Sequence, residues 1–284
     1  MALFDTIRAG AAGAGGDYEV ERSLRFNRSD SARLQLGTLN GNKKTFTISF
    51  WTKLAQFDNE RTVFSVTQNS GGQFSMEFMS DNTFQVREFS IHTNGETISL
   101  RTSRVFRDPT AWLHVLVAID TTQSTSSNRA KIYFNGTQET DFSTASYPSQ
   151  NREFYVNNNT DNSRTHIGSQ SYAGTSNNFD GYLSEFYLID GTALQPSDFG
   201  ETDELTNQFN PIVYTGSFGT NGVYLNFSDN SNTTSTTLGK DSSGVGNNFT
   251  PSNFSVAAWP NNDSVVDTPT NNFATLNPLD ANGN

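Results

Sequence analysis

The sequence predicts an all-β protein, an antiparallel β-sandwich or jelly roll, on three observations. Short runs of β-branched and aromatic residues recur between Gly, Asn and Asp turns from Leu24 onward. Several of these runs alternate apolar and polar side chains with a period of two. Helical spacing is confined to one short N-terminal stretch, and no fixed-period repeat marks a solenoid or propeller.

Taken in order, residues 1–21 read as a short helical or extended tail. Leu3, Phe4 and Ile7 share one face of a helical turn, and Ala9 to Gly16 form an Ala/Gly leash. With no nearby core for them to enter, these three side chains are expected to dock on a partner. A sandwich is expected over residues 22–205. Thr45 to Lys53 (TFTISFWTK) is its clearest strand: Phe46, Ile48 and Phe50 point to one face, Thr47, Ser49 and Trp51 to the other, which should be partly wet. Val63–Val66, Phe74–Phe78 and Phe84–Phe89 follow as short strands. Trp112 to Asp120 (WLHVLVAID) is apolar at nearly every position and should be covered on both sides. Asn135-Gly136 after Lys131–Phe134 is a hairpin signal with a new strand from Thr137.

Phe179 to Leu194 (FDGYLSEFYLIDGTAL) is the strand that closes the sandwich. Leu183 and Tyr187 fall on one parity, Phe186 and Leu188 on the other, so a bulge is expected near Ser184-Glu185. Residues 206–284 are rich in Asn, Ser and Thr, and carry too few apolar anchors for a core of their own. They should pack on the sandwich, pack on neighbouring subunits, or lead to a further module. Gly222 to Phe227 is a strand there, Asn230 to Thr237 a surface loop, and Phe249, Phe254 and Trp259 the large anchors.

Composition bounds the function. A net charge of -11 without a Lys/Arg stripe argues against a nucleic-acid footprint and disfavours electrostatic docking on an anionic membrane. The absence of cysteine excludes disulfides, thiolate metal sites and cysteine nucleophiles. No apolar run has the length of a transmembrane helix, and Asp5 and Arg8 interrupt any signal-peptide pattern, so assembly in a cytoplasm is expected. The 23 Phe offset a low hydrophobic content, each contributing about 1.5–3 kcal/mol when buried.

Four pieces in order, Phe46–Lys53 (FTISFWTK), Trp112–Asp120 (WLHVLVAID), Ile132–Gly136 (IYFNG) and Phe179–Leu194, resemble the concanavalin A-like, laminin G-type jelly-roll superfamily across residues 22–200. The C-terminal stretches PIVYTGSFGTNGVYLNFSDNS, LGKDSSGVGNNFTPSNFSV and VVDTPTNNFATLNP are similar to a type found in structural proteins of tailed, especially marine, bacteriophages. That resemblance implies a virion protein: the N-terminal part of a tail fibre or appendage, homotrimeric, attached through Leu3, Phe4 and Ile7. The sandwich would then present a lectin-like surface for host adhesion. A capsid-surface decoration protein and a free carbohydrate-binding module are the alternatives.

Catalysis is not expected. No Gly-x-Ser-x-Gly elbow occurs, Glu185 has no second acid two or four residues on, and His114 reads as a structural histidine in a buried strand. The superfamily implies that calcium could be held by loop carboxylates, here Asp120 and Asp180. It also implies sugar binding, for which Trp51 and Tyr172 are the aromatic candidates, with a subunit contact as the other use of an exposed aromatic.

Overall fold

The computed structural model describes residues 18–90, 95–159, 162–170, 177–258 and 261–272. Leu3, Phe4, Ile7, Tyr172 and Trp259, named above, lie outside the described residues. The strands run in chain order as β1 (Ser23–Phe26), β2 (Arg33–Leu36), β3 (Thr45–Leu54), β4 (Arg61–Thr67), β5 (Gln73–Phe78) and β6 (Thr83–Ser90). Then come β7 (Gly95–Val105), β8 (Leu113–Asp120), β9 (Ala130–Phe134), β10 (Thr137–Gln138), β11 (Phe142–Ser146), β12 (Arg164–Ile167) and β13 (Gly181–Asp190). Five short strands complete the set: β14 (Gly200–Thr202), β15 (Phe209–Pro211), β16 (Val223–Leu225), β17 (Thr250–Ser252) and β18 (Ser264–Val265).

These form an antiparallel sandwich of two 8-stranded sheets. Sheet A is ordered β10-β9-β8-β3-β13-β1-β18, with β16 also paired to β13; sheet B is ordered β11-β7-β6-β5-β4-β12-β2-β17. Between them lies a Phe-rich core. Phe46 meets Phe74 and Phe154 edge-on with ring centroids 6.2 and 5.8 Å away, while Phe186 stacks on Phe50 and Phe64. Edge-to-face and offset contacts of this kind add to simple area burial. As the alternation predicts, Phe46, Ile48 and Phe50 all face this core and are fully buried.

The opposite face of β3 corrects the expectation of a wet surface. Thr47 and Ser49 are buried, and so is Trp51. The reason is a second apolar layer outside sheet A. Leu116, Ala118, Tyr133, Tyr187 and Ile189 face outward and are covered by Phe199, Tyr214 and Phe218 from the chain after β13. Beside them Trp51, Trp112 and Tyr182 cluster under Phe209 and Val265. The short sheet β14–β15 belongs to this cover.

From β16 onward the chain wraps the sandwich. β16 pairs with β13, β17 with the sheet B strand β2, and β18 with the sheet A strand β1. Each sheet therefore receives its last strand on that side from the C-terminal third, which caps backbone groups that an edge would leave open.

The expected bulge in β13 is present. Ser184 opposes Trp51 but Tyr187 opposes Ser49, so three steps on β13 match two on β3, and Glu185 has a φ of 50°. The bulge is also where β13 changes its other neighbour: β1 pairs along Gly181–Leu183 and β16 along Phe186–Leu188. The Asn135-Gly136 hairpin forms as predicted, with both residues at positive φ.

His114 is a structural histidine. It is fully buried on the outward face of sheet A, its Nε2 lies 2.8 Å from Ser49 Oγ, and its ring packs on Trp51 and Phe209. Burial pushes its pKa down to about 3.

Two outcomes test this architecture. Phe46→Ala should lower unfolding free energy by about 3–5 kcal/mol in denaturant titration, because it opens a cavity against the rings of Phe74 and Phe154. For His114 the unfolded chain binds a proton below about pH 6.5 that the folded chain refuses until far lower, so stability is lost on acidification. The loss from this one group reaches at most about 1.4 kcal/mol per pH unit. Denaturation series at pH 7, 6 and 5 should therefore fall less steeply for His114→Gln than for the parent; equal slopes would exclude a neutral buried imidazole.

Candidate functional site

With sheet A covered on its outer side, the outward face of sheet B is where polar chemistry gathers. Its strands alternate cleanly: Phe74, Met76 and Phe78 of β5 and Phe84 and Val86 of β6 enter the core, which sends Ser75, Glu77, Gln85 and Arg87 outward. Registers then line these residues up across the sheet. One row runs Gln35, His166, Ser65, Ser75, Arg87, Ser99 and Ser146. A second runs Thr62, Glu77, Gln85 and Arg101, and a third Arg164, Thr67, Gln73 and Phe89.

An ion pair lies at the middle of this face. Arg87 Nε donates to Glu77 Oε1 at 2.7 Å, and Thr62 Oγ1 and Gln170 Nε2 approach the other carboxylate oxygen at 3.4 Å. Burial pushes the Glu77 carboxyl up, while the Arg87 charge pulls it back. Gln85 Nε2 donates to Ser99 Oγ at 3.0 Å, and Arg101 is fixed by Thr83 and Asp81. Ser65 Oγ donates to the Ser169 carbonyl at 2.8 Å, so the chain through Ser169 and Gln170 passes over one end of the face.

Toward the other end the face opens. Arg87 and Arg101 are half-buried, Thr144 and Ser146 are exposed, and Phe89 is a large apolar side chain left exposed. Between the covered and open parts, Gln73 Nε2 and His166 Nδ1 are buried with no hydrogen-bond partner among the described residues. Buried polar atoms are nearly always satisfied, so two on one surface form unused hydrogen-bonding capacity. A charged fork, several hydroxyl and amide groups and an aromatic ring are the components that hold a small polar ligand with an apolar side.

The residues singled out from the sequence are placed elsewhere. Asp120 opposes Thr45 at one end of β3, while Gly181, next to Asp180, opposes Leu54 at the other. Nine residues of strand separate them, roughly 30 Å, so they do not form one calcium site. Asp120 accepts from Thr122 N, Thr122 Oγ1 and Gln123 Nε2 and closes its own turn. Partial burial pushes its carboxyl up, and these bonds outweigh that to hold it below the usual range. Asp180 is buried and pushed up to about 6 by desolvation, against the attraction of Arg28, Arg61 and Arg25. Three guanidinium groups around a carboxylate repel a cation, and among the described residues no group of three or more acids and histidines could hold a metal. The pair therefore does not fit calcium.

Trp51 also differs from expectation. It is 3% exposed, stacked on Phe209 at 5.9 Å and tilted on His114, so its ring is unavailable for a sugar or another subunit. The aromatic that is exposed on a sheet face, Phe89, was legible only as a strand residue. The alternation of QFSMEF and TFQVREFS carries the signal for Glu77, Arg87 and Phe89, because it sends these residues to one side.

Glu185 is held instead in a cage of phenols. Tyr18, Tyr187 and Tyr224 donate to its carboxylate at 2.6, 2.7 and 2.9 Å. Burial pushes its pKa up, and the three hydrogen bonds favour the ionised form in opposition.

Residues 26–198 match the laminin G model of the concanavalin A-like lectin/glucanases superfamily. Among solved structures, the heptameric SAP-like pentraxin of Limulus polyphemus is 16% identical, with a TM-score of 0.42 over 63% of this chain and 80% of that one. The CBM40 of the Ruminococcus gnavus IT-sialidase, bound to α2,3-sialyllactose, is 15% identical with a TM-score of 0.39, over 50% of this chain and 73% of that one. Domains LG4-5 of the mouse laminin α1 chain are 10% identical with a TM-score of 0.40, over 77% of this chain and 50% of that one. No curated protein matches the chain. The family match covers more than half of the 284 residues, and the chain belongs to the concanavalin A-like lectin/glucanases superfamily.

Proposed function

We propose that this chain is a non-catalytic adhesion module of a bacteriophage virion, attached through its N-terminal tail and binding a surface glycan on the outward face of sheet B. The observation that carries the binding half is the pair of buried, unpartnered polar atoms, Gln73 Nε2 and His166 Nδ1, beside half-buried Arg87 and exposed Phe89. Saccharides match such a surface because their hydroxyl groups both donate and accept, and their ring faces pack on aromatics. Family membership favours the same class of ligand. The virion half rests on the similarity of residues 211–278 to phage structural proteins and on the Leu3, Phe4 and Ile7 face of the tail.

Against catalysis stands the way the three most buried glutamates are engaged. Glu77 is paired with Arg87, Glu88 with Arg152, and Glu185 is enclosed by three phenols. None is poised at a free cleft with a second carboxyl, which glycoside hydrolysis requires.

Two measurements separate the halves of this reading. On a glycan array the intact protein should bind at least one glycan class, and Phe89→Ala and Arg87→Ala should each weaken that binding about tenfold or more, equivalent to about 1.4 kcal/mol. Absence of any glycan bound, or binding indifferent to both substitutions, ends the adhesion half. Deleting residues 1–16 should leave a folded sandwich that no longer enters particles; normal incorporation of the shortened chain ends the docking half.

A further inference from the structure

The outer layer of sheet A contains a lysine, a carboxylate and a carboxamide brought together from two distant parts of the chain. Lys53 near the end of β3 is 7% exposed. Its Nζ donates to Asp267 Oδ2 at 2.6 Å and to Asn272 Oδ1 at 3.1 Å. Asp267 is itself buried, and its other oxygen accepts from Trp112 Nε1 at 3.0 Å. Asn272 Nδ2 donates to the Thr110 carbonyl at 3.1 Å, which turns the carboxamide oxygen toward the lysine. Trp51, Trp112 and Tyr182 form the apolar cluster at this place.

An ordinary salt bridge needs only the first two groups. Here the third is an amide carbonyl within hydrogen-bond distance of the amine, with its carbon one bond further on. A carboxylate touches the same nitrogen, in a setting with little water. A lysine amine is a nucleophile once its proton is removed, and holding it against its target replaces an unfavourable encounter by a fixed geometry. The Nδ2 held by Thr110 is the group that must leave, and Asn272 is exposed, so the product has a path to solvent.

We propose that Lys53 and Asn272 join in an intramolecular isopeptide bond, with Asp267 as the proton carrier. Asp267 Oδ2 takes a proton from the Lys53 ammonium, and the freed lone pair of Nζ attacks Cγ of Asn272. The Cγ–Nζ bond forms as the carbonyl π pair moves to Oδ1. When that pair returns, the Cγ–Nδ2 bond breaks, and Nδ2 leaves as ammonia with the proton that Asp267 carried. The remaining extra proton on Nζ passes out with the ammonia as ammonium. A lysine ammonium and a carboxamide thus become a secondary amide and one ammonium ion, Asp267 ends as it began, and no oxidant or cofactor is required. The product fastens the strap that follows β18 to the centre of sheet A.

Intact-mass spectrometry of the full-length purified protein, denatured before measurement, tests this directly. The expected mass is that of the sequence less one ammonia, and proteolysis should yield a branched peptide joining the segments around Lys53 and Asn272. Lys53→Ala and Asp267→Asn should restore the full sequence mass; Asn272→Asp, if it reacts, should lose water in place of ammonia. The full mass in folded wild-type protein overturns the proposal. So does a loss of ammonia without a branched peptide, which is a cyclised asparagine, or a loss of water mapped to Lys53 and Asp267.

Discussion

Sheet A is apolar on both of its sides, and the remainder of the chain is arranged around that constraint. An antiparallel sheet can leave one face in water, but Leu116, Tyr133, Tyr187 and Ile189 would then expose a continuous hydrophobic patch. Phe199, Tyr214 and Phe218 cover it, and the chain then has to continue around the sandwich edge to reach β17 and β18. The C-terminal third, too polar for a core of its own, is ordered by lending Tyr214 and Phe218 to that surface and Val223, Leu225, Phe227, Leu238 and Phe249 to the main core.

The bulge at Glu185 belongs to the same constraint. Placing a carboxylate inside this layer costs several kcal/mol unless its oxygens are satisfied. Satisfaction comes from one phenol of β13, one of β16 and one from Tyr18 ahead of β1. Tyr187 and Tyr224 also stack with ring planes 4° apart. A left-handed backbone at a glutamate is itself unfavourable, so the cage and the bulge sustain each other. Three chain segments that neighbour one another nowhere in sequence are thereby held to a single point.

How far the sequence foretells this varies with the kind of information involved. Alternation in TFTISFWTK and the uninterrupted WLHVLVAID are local: the first strand turns Phe46, Ile48 and Phe50 to the core as predicted, and the second is covered on both sides as predicted. The parity break in β13 was equally local, because a switch between Tyr187 and Phe186 leaves a mark in consecutive residues. β7 was not legible: GETISLRTSRV carries only Ile98 and Leu100 into the core, and its strand character comes from its partners β6 and β11. The burial of Trp51 was beyond local reading, since Phe209 reaches it from more than a hundred residues away. The separation of Asp120 from Asp180 likewise depends on the β3 register, which is a tertiary fact. At the candidate site, side-chain direction was readable from alternation, but the rows that align Arg87 with Ser75 and His166 need all the strand pairings at once.

The hydrogen bond from Val20 N to Thr270 Oγ1 places the two ends of the described chain side by side. In a chain without the Lys53–Asn272 bond, a load applied across these two ends enters at the β1–β18 corner, where antiparallel strands pulled from adjacent ends separate one bond after another, like a zipper. With that bond in place the zipper is bypassed, and the pull passes from Asn272 to Lys53 and across β3, β13 and β1. In both cases the outward face of sheet B is carried free of the strain.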